Sequence, residues 1–364
     1  MKQKIVISVT NDIVYDQRML KTARSLIRCG FEVHIIGRLK KDSHPDQLEG
    51  RDFNSYRFKL WFTKGKFFYL EYNLRLLFYL WKQKATIFCA VDLDTILPNI
   101  IIGRLRMIPV IYDAHEYFTE VPELADRRFE KSIWKWVERK AIPQCRSMYT
   151  VSNQLAILFN REYNLKADVI YNYPFSLNRK FTIQKENIIV YQGDLNVGRG
   201  LELAIQAMRK LEGYILVIIG DGYHRLYLEN WMTQCGVNER VEFKGKLTPD
   251  ELKSYTQRAR FGLNLLENKG LNYYYSLANK FFDYIQAGVI PITMNFPEYQ
   301  RIQGEYNCAI LINALDEEEY LSALDRVISD ENNYLDLLKN GDIAASFLTW
   351  ENQEEKLCSI YKNV

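Results

Sequence analysis

The sequence predicts an α/β protein made of two parallel-sheet units, and three observations carry that expectation. Short runs rich in Ile, Val and aromatic residues alternate with amphipathic stretches of helical period along most of the chain. The alternation pauses once, in the polar stretch "FSLNRKFTIQKE" after Pro174, and then restarts. Polar and glycine residues stand just beyond the apolar runs, where parallel sheets flanked by helices hold their ligands. With 364 residues, 48% of them hydrophobic, the chain has material for two cores, on a usual scale of about 150 residues per domain.

Taken in order, "KIVISV" reads as a strand, "TNDIVYDQ" as a polar loop, "RMLKTARSLIRCG" as an amphipathic helix stopped at Gly30, and "FEVHIIG" as the next strand. The strand "ATIFCAV", a helix near "LDTILPNIIIGRL", the strand "MIPVIYDA", a helix around "FEKSIWKWVERKAIPQC", the strand "SMYTVS", the helix "NQLAILFNREYN" and the run "ADVIYNYP" complete the first half. Beyond the connector come "NIIVYQG", "GLELAIQAMRKL", "YILVIIG", a helix near "YHRLYLENWMTQCG", "VEFKG" and "TPDELKSYTQRA", again strand and helix in turn. Right-handed crossovers then place parallel sheets in both halves.

Net charge is only +3, yet residues 1–180 carry 30 Lys and Arg against 19 Asp and Glu, while residues 181–364 carry 18 against 26. The excess concentrates in residues 51–84, where eight basic residues interleave with the aromatics of "FKLWFTKGKFFYLEYNLRLLFYLW". Two readings stand side by side. A basic aromatic helix can lie on an anionic lipid surface, or it is a core helix with snorkelling ends whose buried face is Phe67, Leu70, Leu74, Leu77 and Trp81. Nucleic acid is a poorer partner, because the pattern matches no nucleic-acid-binding module. The longest apolar stretch is interrupted by Arg104 and Arg106, short of the roughly 18 to 20 residues a spanning helix needs. The N-terminus lacks a leader pattern, so the expected location is the cytoplasm. Six cysteines without a CxxC pair point to reduced structural thiols, neither zinc site nor disulfide frame.

Four motifs carry chemistry. "SLANKFFDYIQAGVIPI" reads as a helix beginning between Ser276 and Asn279, ending at Gly288 before an apolar strand. Its first-turn N–H groups are a seat for a diphosphate, and Asp283, one turn in, is placed to reach a ribose hydroxyl pair. The plainer alternative makes Ser276 a cap and Asp283 a solvated surface residue. "YQGDLNVGRGLELAIQA" sets Gly193 after a strand and Arg199 between Gly198 and Gly200, so backbone can approach a phosphate beside a forked cation. "VIIGDG" ends a strand with Gly220 and Gly222, as a tight turn or a close approach. "VIYDAHEYF" places His115 past a strand between Asp113 and Glu116, where imidazole is either structural or bonded to a sugar hydroxyl. Asp92 and Asp94 in "AVDLDT" read as a helix start rather than a metal site.

Together with "DQRMLKTARSLIRCGFEVHIIG", "LTPDELKSY" and the closing "LTWENQEEKLCSIY", these motifs resemble the family 4 glycosyltransferases, retaining enzymes of the GT-B fold, over nearly the whole chain. The resemblance implies two Rossmann-like domains facing across a cleft: residues 1–174 for the acceptor, 175–345 for a nucleotide-diphospho-sugar, and a helix in 346–364 that returns to the first domain. It implies a UDP- or GDP-sugar as co-substrate, no other cofactor and no obligatory metal, a saccharide or lipid-linked acceptor, and peripheral contact with an anionic membrane's inner face. It makes Arg199 and Lys280 candidates for the diphosphate, beside the loop glycines Gly193 and Gly220 and the helix start at Ser276 and Asn279; Asp194, which follows Gly193, departs from the Arg and Lys that many relatives carry around that loop. Asp283 matches the family's ribose-binding acid, whereas Tyr275 stands where a second acid is usual, leaving Glu267 or Asn272 for the donor sugar. His115 matches the histidine beside the transferred sugar, and Asn11, Asp16 and Arg18 match the first-domain loop. His115, Arg199 and Lys280 are the catalytic candidates, acting by charge stabilisation of a leaving diphosphate rather than through a protein nucleophile. A sugar-nucleotide epimerase and a non-catalytic binding subunit are the alternatives.

Overall fold

Ile5, Val6 and Ile7 are completely buried in β1 (Lys4–Ser8), because this β-branched run is the middle of a parallel sheet covered on both faces. The computed structural model describes residues 2–41, 43, 48, 50–121, 124, 126–176 and 185–364. Residues 1–172 with 353–364 form one compact unit and 173–352 another. In the first, β1 is followed by α1 (Gln17–Arg28), β2 (Glu32–Arg38), β3 (Asn54–Phe58), α2 (Gly65–Lys82), β4 (Ile87–Val91), α3 (Leu93–Arg106), β5 (Val110–Ala114), α4 (Arg128–Ala141), β6 (Ser147–Thr150), α5 (Asn153–Tyr163) and β7 (Ala167–Val169). The sheet runs β3-β2-β1-β4-β5-β6-β7 with every pair parallel. Strand order reverses between β1 and β4, so the loops leaving those strands part and open a crevice.

The second unit holds β8 (Glu186–Gln192), α6 (Leu201–Ala207), β9 (Ile215–Ile219), α7 (Arg225–Cys235), β10 (Val241–Gly245), α8 (Pro249–Arg258), β11 (Ala259–Asn264), α9 (Leu271–Tyr274), α10 (Asn279–Ala287), β12 (Ile290–Met294), α11 (Pro297–Tyr306), β13 (Ile310–Ile312), α12 (Glu317–Ile328) and α13 (Glu331–Phe347). Its order is β10-β9-β8-β11-β12-β13, again parallel, with the reversal between β8 and β11. α14 (Glu351–Lys362) leaves this unit and, from Gln353, belongs to the first.

Local chemistry explains the boundaries. Asp16 caps α1 by accepting from the Met19 N–H, and Thr248 and Glu251 form a reciprocal capping box on α8. Pro98 lies inside α3, where it cannot donate to the Asp94 carbonyl; Asn73 of α2 donates to that oxygen instead, at 2.9 Å. α14 is anchored by Tyr361, whose hydroxyl meets Tyr149 and the Cys89 thiol, each at 3.1 Å. Glu354 adds bonds from Ser25 and Arg28 on α1.

The structure corrects three expectations. Cys29 and Cys358 are joined in a disulfide, with Cα atoms 6.2 Å apart and 329 residues between them. A search for closely spaced cysteines is blind to this pair, because only the docking of α14 on α1 brings them together; Cys89, Cys145, Cys235 and Cys308 are free thiols. On α2 the buried face is Phe68, Tyr72, Leu76 and Leu80. Phe67, Leu70, Leu74 and Trp81, expected inside, are exposed, and Leu77 is half-buried. Both sides of this helix are apolar, so periodicity could not choose between them; the Tyr72 hydroxyl, which donates to the Val9 carbonyl, goes with the inward side. Finally, Asp92 and Asp94 begin α3 without capping it. Asp92 accepts from the His115 N–H at 2.8 Å and Asp94 from the Thr10 hydroxyl at 2.6 Å. The connector expected over 175–186 lies largely outside the described residues.

Candidate functional site

Two clusters form at the carboxyl ends of the strands, one in each unit, each beside the point where strand order reverses. In the second unit β8 ends at Gln192 and the chain turns at Gly193, whose φ is 135°. The turn is zipped onto the end of β9: the Gly193 N–H donates to Ile219 and the Leu195 N–H to Asp221. The contact is so close that a Cβ on Gly220 would fall 1.9 Å from the Gly193 carbonyl oxygen. Gly220 therefore acts through backbone packing behind the turn, which fixes where Gly193, Asp194 and Arg199 stand.

Two cations converge in front of that turn. Lys280 Nζ lies 3.9 Å from the centre of the Tyr191 ring, and the Arg199 guanidinium lies 5.5 Å from that of Tyr273. Arg199 Nε is buried with no hydrogen-bond partner, and neither cation is in an ion pair among the described residues. Burial first, then the charge of Arg199, pull Lys280 down to about 7, with Asp194 working the other way. A site that depresses a lysine in this way gains when an anion arrives, because the anion restores the charged form.

α10 points its first turn into the same region. Ala278 occupies its N-cap position without a side-chain cap, and its own N–H donates to the Tyr299 hydroxyl. Ser276, the expected alternative cap, lies before the helix and donates to the Tyr273 carbonyl at 2.7 Å. The positive end of the α10 dipole therefore lies at this turn without a side-chain cap from Ala278. One turn on, Asp283 accepts from Gln192 Nε2 at 3.1 Å, and Gln192 in turn accepts from the Thr256 hydroxyl at 2.9 Å. Asp283 borders an apolar cavity of about 280 Å³ lined also by Leu252, Thr256 and Gln286. Asn272 is buried on α9, and the Tyr275 ring packs tilted against Tyr274 with ring centres 5.1 Å apart. Glu267 is tied to the loop by its N–H, which donates to Gly198, and its carboxylate pairs with Lys269.

The first-unit cluster is built differently. Arg18, 5% exposed on α1, donates to Asp113 Oδ1 at 3.2 Å, to the Ile170 carbonyl at 3.2 Å and to His115 Nε2 at 2.9 Å. The same His115 nitrogen lies 3.1 Å from Asp113 Oδ2. Neutral, it accepts from Arg18; protonated, it donates to Asp113. Burial opposes the imidazolium, but the charges of Asp113 and Asp92 outweigh it, so His115 is held above the usual histidine value. Of the other two residues expected here, Asp16 is the α1 cap and Asn11 is exposed, its carbonyl accepting from the Arg38 N–H.

Sequence reading missed the aromatic faces of Tyr191 and Tyr273 and the Gln192–Thr256 relay, since nothing local marks a tyrosine as a platform for a cation. Asp92 was seen only as a helix start; its bond to the residue after β5 needs the sheet.

Comparison with known proteins fits this architecture. Residues 17–173 match the model described as glycosyltransferase family 4, and residues 175–343 that described as glycosyl transferases group 1. An alpha-D-kanosaminyltransferase of Streptomyces kanamyceticus is 21% identical over 176 residues, 42% of this chain and 46% of the relative. The chain spans less than half the length of the curated relatives it matches. Among solved structures, sucrose-phosphate synthase of Thermosynechococcus elongatus superposes with a TM-score of 0.81 at 16% identity, covering 100% of this chain and 99% of its own. Anabaena HepE in complex with UDP does so at 0.79 and 10% identity, covering 100% of both. These likenesses establish the fold as two Rossmann-like α/β domains of the GT-B kind.

Proposed function

Because the chain belongs to the family 4 glycosyltransferases, we propose that it transfers a hexosyl group from a UDP- or GDP-sugar to a saccharide or lipid-linked acceptor with retention, in the assembly of a bacterial surface polysaccharide or glycolipid. The observation that carries the reading is the pair Arg199 and Lys280, held over tyrosine faces beside a glycine turn and an uncapped helix start, with no carboxylate paired to either. Such an arrangement takes a diphosphate, and the Anabaena relative was crystallised with UDP.

Chemistry follows from the charges. As the bond from the anomeric carbon to the diphosphate oxygen breaks, negative charge grows on that oxygen, where the two cations and the first N–H groups of α10 stabilise it. The acceptor hydroxyl attacks from the same face of the sugar and its proton passes to the leaving phosphate, so no protein nucleophile is needed. Asp283 holds the ribose hydroxyls, and Glu267 or Asn272 the donor sugar. The first unit is assigned the acceptor, with His115 held by Arg18, Asp113 and Asp92 to meet the transferred sugar. No metal step is part of this reading, and peripheral contact with the inner face of an anionic membrane is.

The deciding experiment is a thermal-shift series with UDP, GDP and their sugars, followed by nucleoside diphosphate release with and without candidate acceptors. One nucleotide class should raise the melting temperature by mass action, and release should require acceptor. Release without acceptor favours an epimerase or hydrolase, and no shift with any nucleotide overturns the donor assignment.

A further inference from the structure

The start of α10 is fixed from outside the helix. Asp16 caps α1 and Thr248 caps α8 with side chains of their own segments, whereas Ala278, at the N-cap of α10, has no side chain that can do so. The chain there is held instead by Tyr299 of α11, a residue 2% exposed, whose hydroxyl accepts from the Ala278 N–H at 3.0 Å. A capping side chain would set an acceptor over the first turn; this bond takes the N–H of the N-cap residue itself, ahead of the helical residues. The Tyr299 ring adds a second hold, packing against Phe281, the neighbour of Lys280, with ring centres 5.0 Å apart.

The same hydroxyl is a junction. The side chains of Asn264 and Ser276 meet it as well, and together with the Ala278 N–H they oppose the rise that burial gives the phenol. Asn264 ends β11 and donates from Nδ2 to the Thr293 hydroxyl on β12 at 3.0 Å, which ties the junction to the sheet. Ser276 donates to the Tyr273 carbonyl at 2.7 Å, and the Tyr273 ring lies under the Arg199 guanidinium. One buried oxygen thus reaches both supports of the cationic pair: the helix start that carries Lys280 and the turn that carries the face beneath Arg199. We infer that Tyr299 is a positioning residue for the diphosphate seat, its hydroxyl holding Lys280 and Arg199 in register without touching the ligand. The inference rests on the donor reading proposed above and deepens it. Packing alone asks only for the ring, which phenylalanine would supply; the network uses the hydroxyl.

The test is Tyr299→Phe, which keeps the ring and deletes the junction, read by titration calorimetry with UDP, GDP and inorganic pyrophosphate across the titration of Lys280. The nucleotide that wild type binds should lose about tenfold in affinity, roughly the worth of one buried hydrogen bond. Pyrophosphate should lose the same factor, because the seat is for phosphates. The pH at which binding falls away should move upward: a relaxed helix start exposes the Lys280 amine, now held at about 7 by burial and Arg199 against the pull of Asp194, and lets it regain charge. Unliganded melting temperature should drop by about 5 °C or less. A variant less stable than wild type but equal to it in affinity and pH midpoint overturns the inference and leaves the hydroxyl to the fold. A loss for the nucleotide without one for pyrophosphate also overturns it, since the effect then lies at the ribose end. If Tyr299→Phe does not fold, Ser276→Ala cuts one arm of the junction at a half-buried position. It should show the same upward pH displacement with a loss of about threefold, and unchanged binding there overturns the inference. Wild type that binds none of the three ligands overturns the donor reading and this inference with it, a result distinct from wild type and variant that bind equally well.

Discussion

Arg18 and Arg199 are both arginines set at the carboxyl ends of parallel strands, yet their surroundings are opposite. Arg18 spends its guanidinium on Asp113, His115 and the Ile170 carbonyl, and all of these are partners within its own unit. Arg199 faces a tyrosine ring, keeps a buried Nε without a partner, and stands near a second cation, Lys280. A buried charge that is fully paired holds structure; two half-buried cations outside any ion pair, with only the charge of Asp194 opposing them, hold a place for an anion. The difference separates a positioning cluster from a ligand seat on one kind of fold.

The sharpest way to break this contrast is Arg18→Ala. It leaves Asp113, with 0% exposure, with the His115 imidazole as its remaining partner, and removing one side of a buried pair costs about 3–5 kcal/mol. Chemical denaturation should show that loss, and a change below about 1 kcal/mol would mean the cluster is no structural ion pair. Arg199→Ala and Lys280→Met should do the reverse. Each should weaken nucleoside diphosphate binding about tenfold to a hundredfold, the scale of a charge-assisted hydrogen bond, while unliganded stability holds or rises. Titration calorimetry with UDP and GDP reads this directly.

Acidity sharpens the same pair. Lys280 is held at about 7 against an ordinary value of 10.5, so between those values the unfolded chain binds a proton that the folded one has lost. Unliganded stability attributable to this residue should therefore rise with pH across that window. Diphosphate affinity should run the other way, falling as pH passes upward through about 7, because the anion needs the charged amine. In Lys280→Met both dependences should flatten relative to wild type; a variant that keeps the wild-type pH profile would show that Lys280 does not face the anion. The smallest expected effect belongs to Asp283→Asn. It should cost UDP about tenfold in affinity, one hydrogen bond to a charged group, and leave inorganic pyrophosphate unchanged, since pyrophosphate has no ribose. Equal losses for the two ligands would move Asp283 from the ribose to the phosphates or to the fold.

Much of the fold was legible because its signals are local. "KIVISV", "VIYDA" and "YILVIIG" are runs that only a doubly covered strand explains, and the stop at Gly288 ends α10 with a φ of 66° that few other residues adopt. β3, "NSYRF", was not legible: it is a short edge strand in which four residues alternate between exposed and half-buried and only Phe58 is buried, and little in the sequence distinguishes it from loop. In the candidate site, glycines and cations just past apolar runs could be picked out one by one. What they face could not, as Ser276 shows: its spacing suits a cap, but the chain turns before the helix and its hydroxyl goes to Tyr273.

By itself the sequence determined two alternating α/β units and the short list of polar residues at their strand ends, because hydrophobic period and glycine punctuation act over a few neighbouring residues. Tertiary structure alone decided which side of α2 is buried, that Cys29 meets Cys358, that Arg18 is consumed by Asp113 and His115, and that Arg199 and Lys280 share one cationic seat. Each of those outcomes depends on groups tens to hundreds of residues apart in the chain. Burial and Coulomb energy depend on distance in space, and only packing turns one kind of separation into the other.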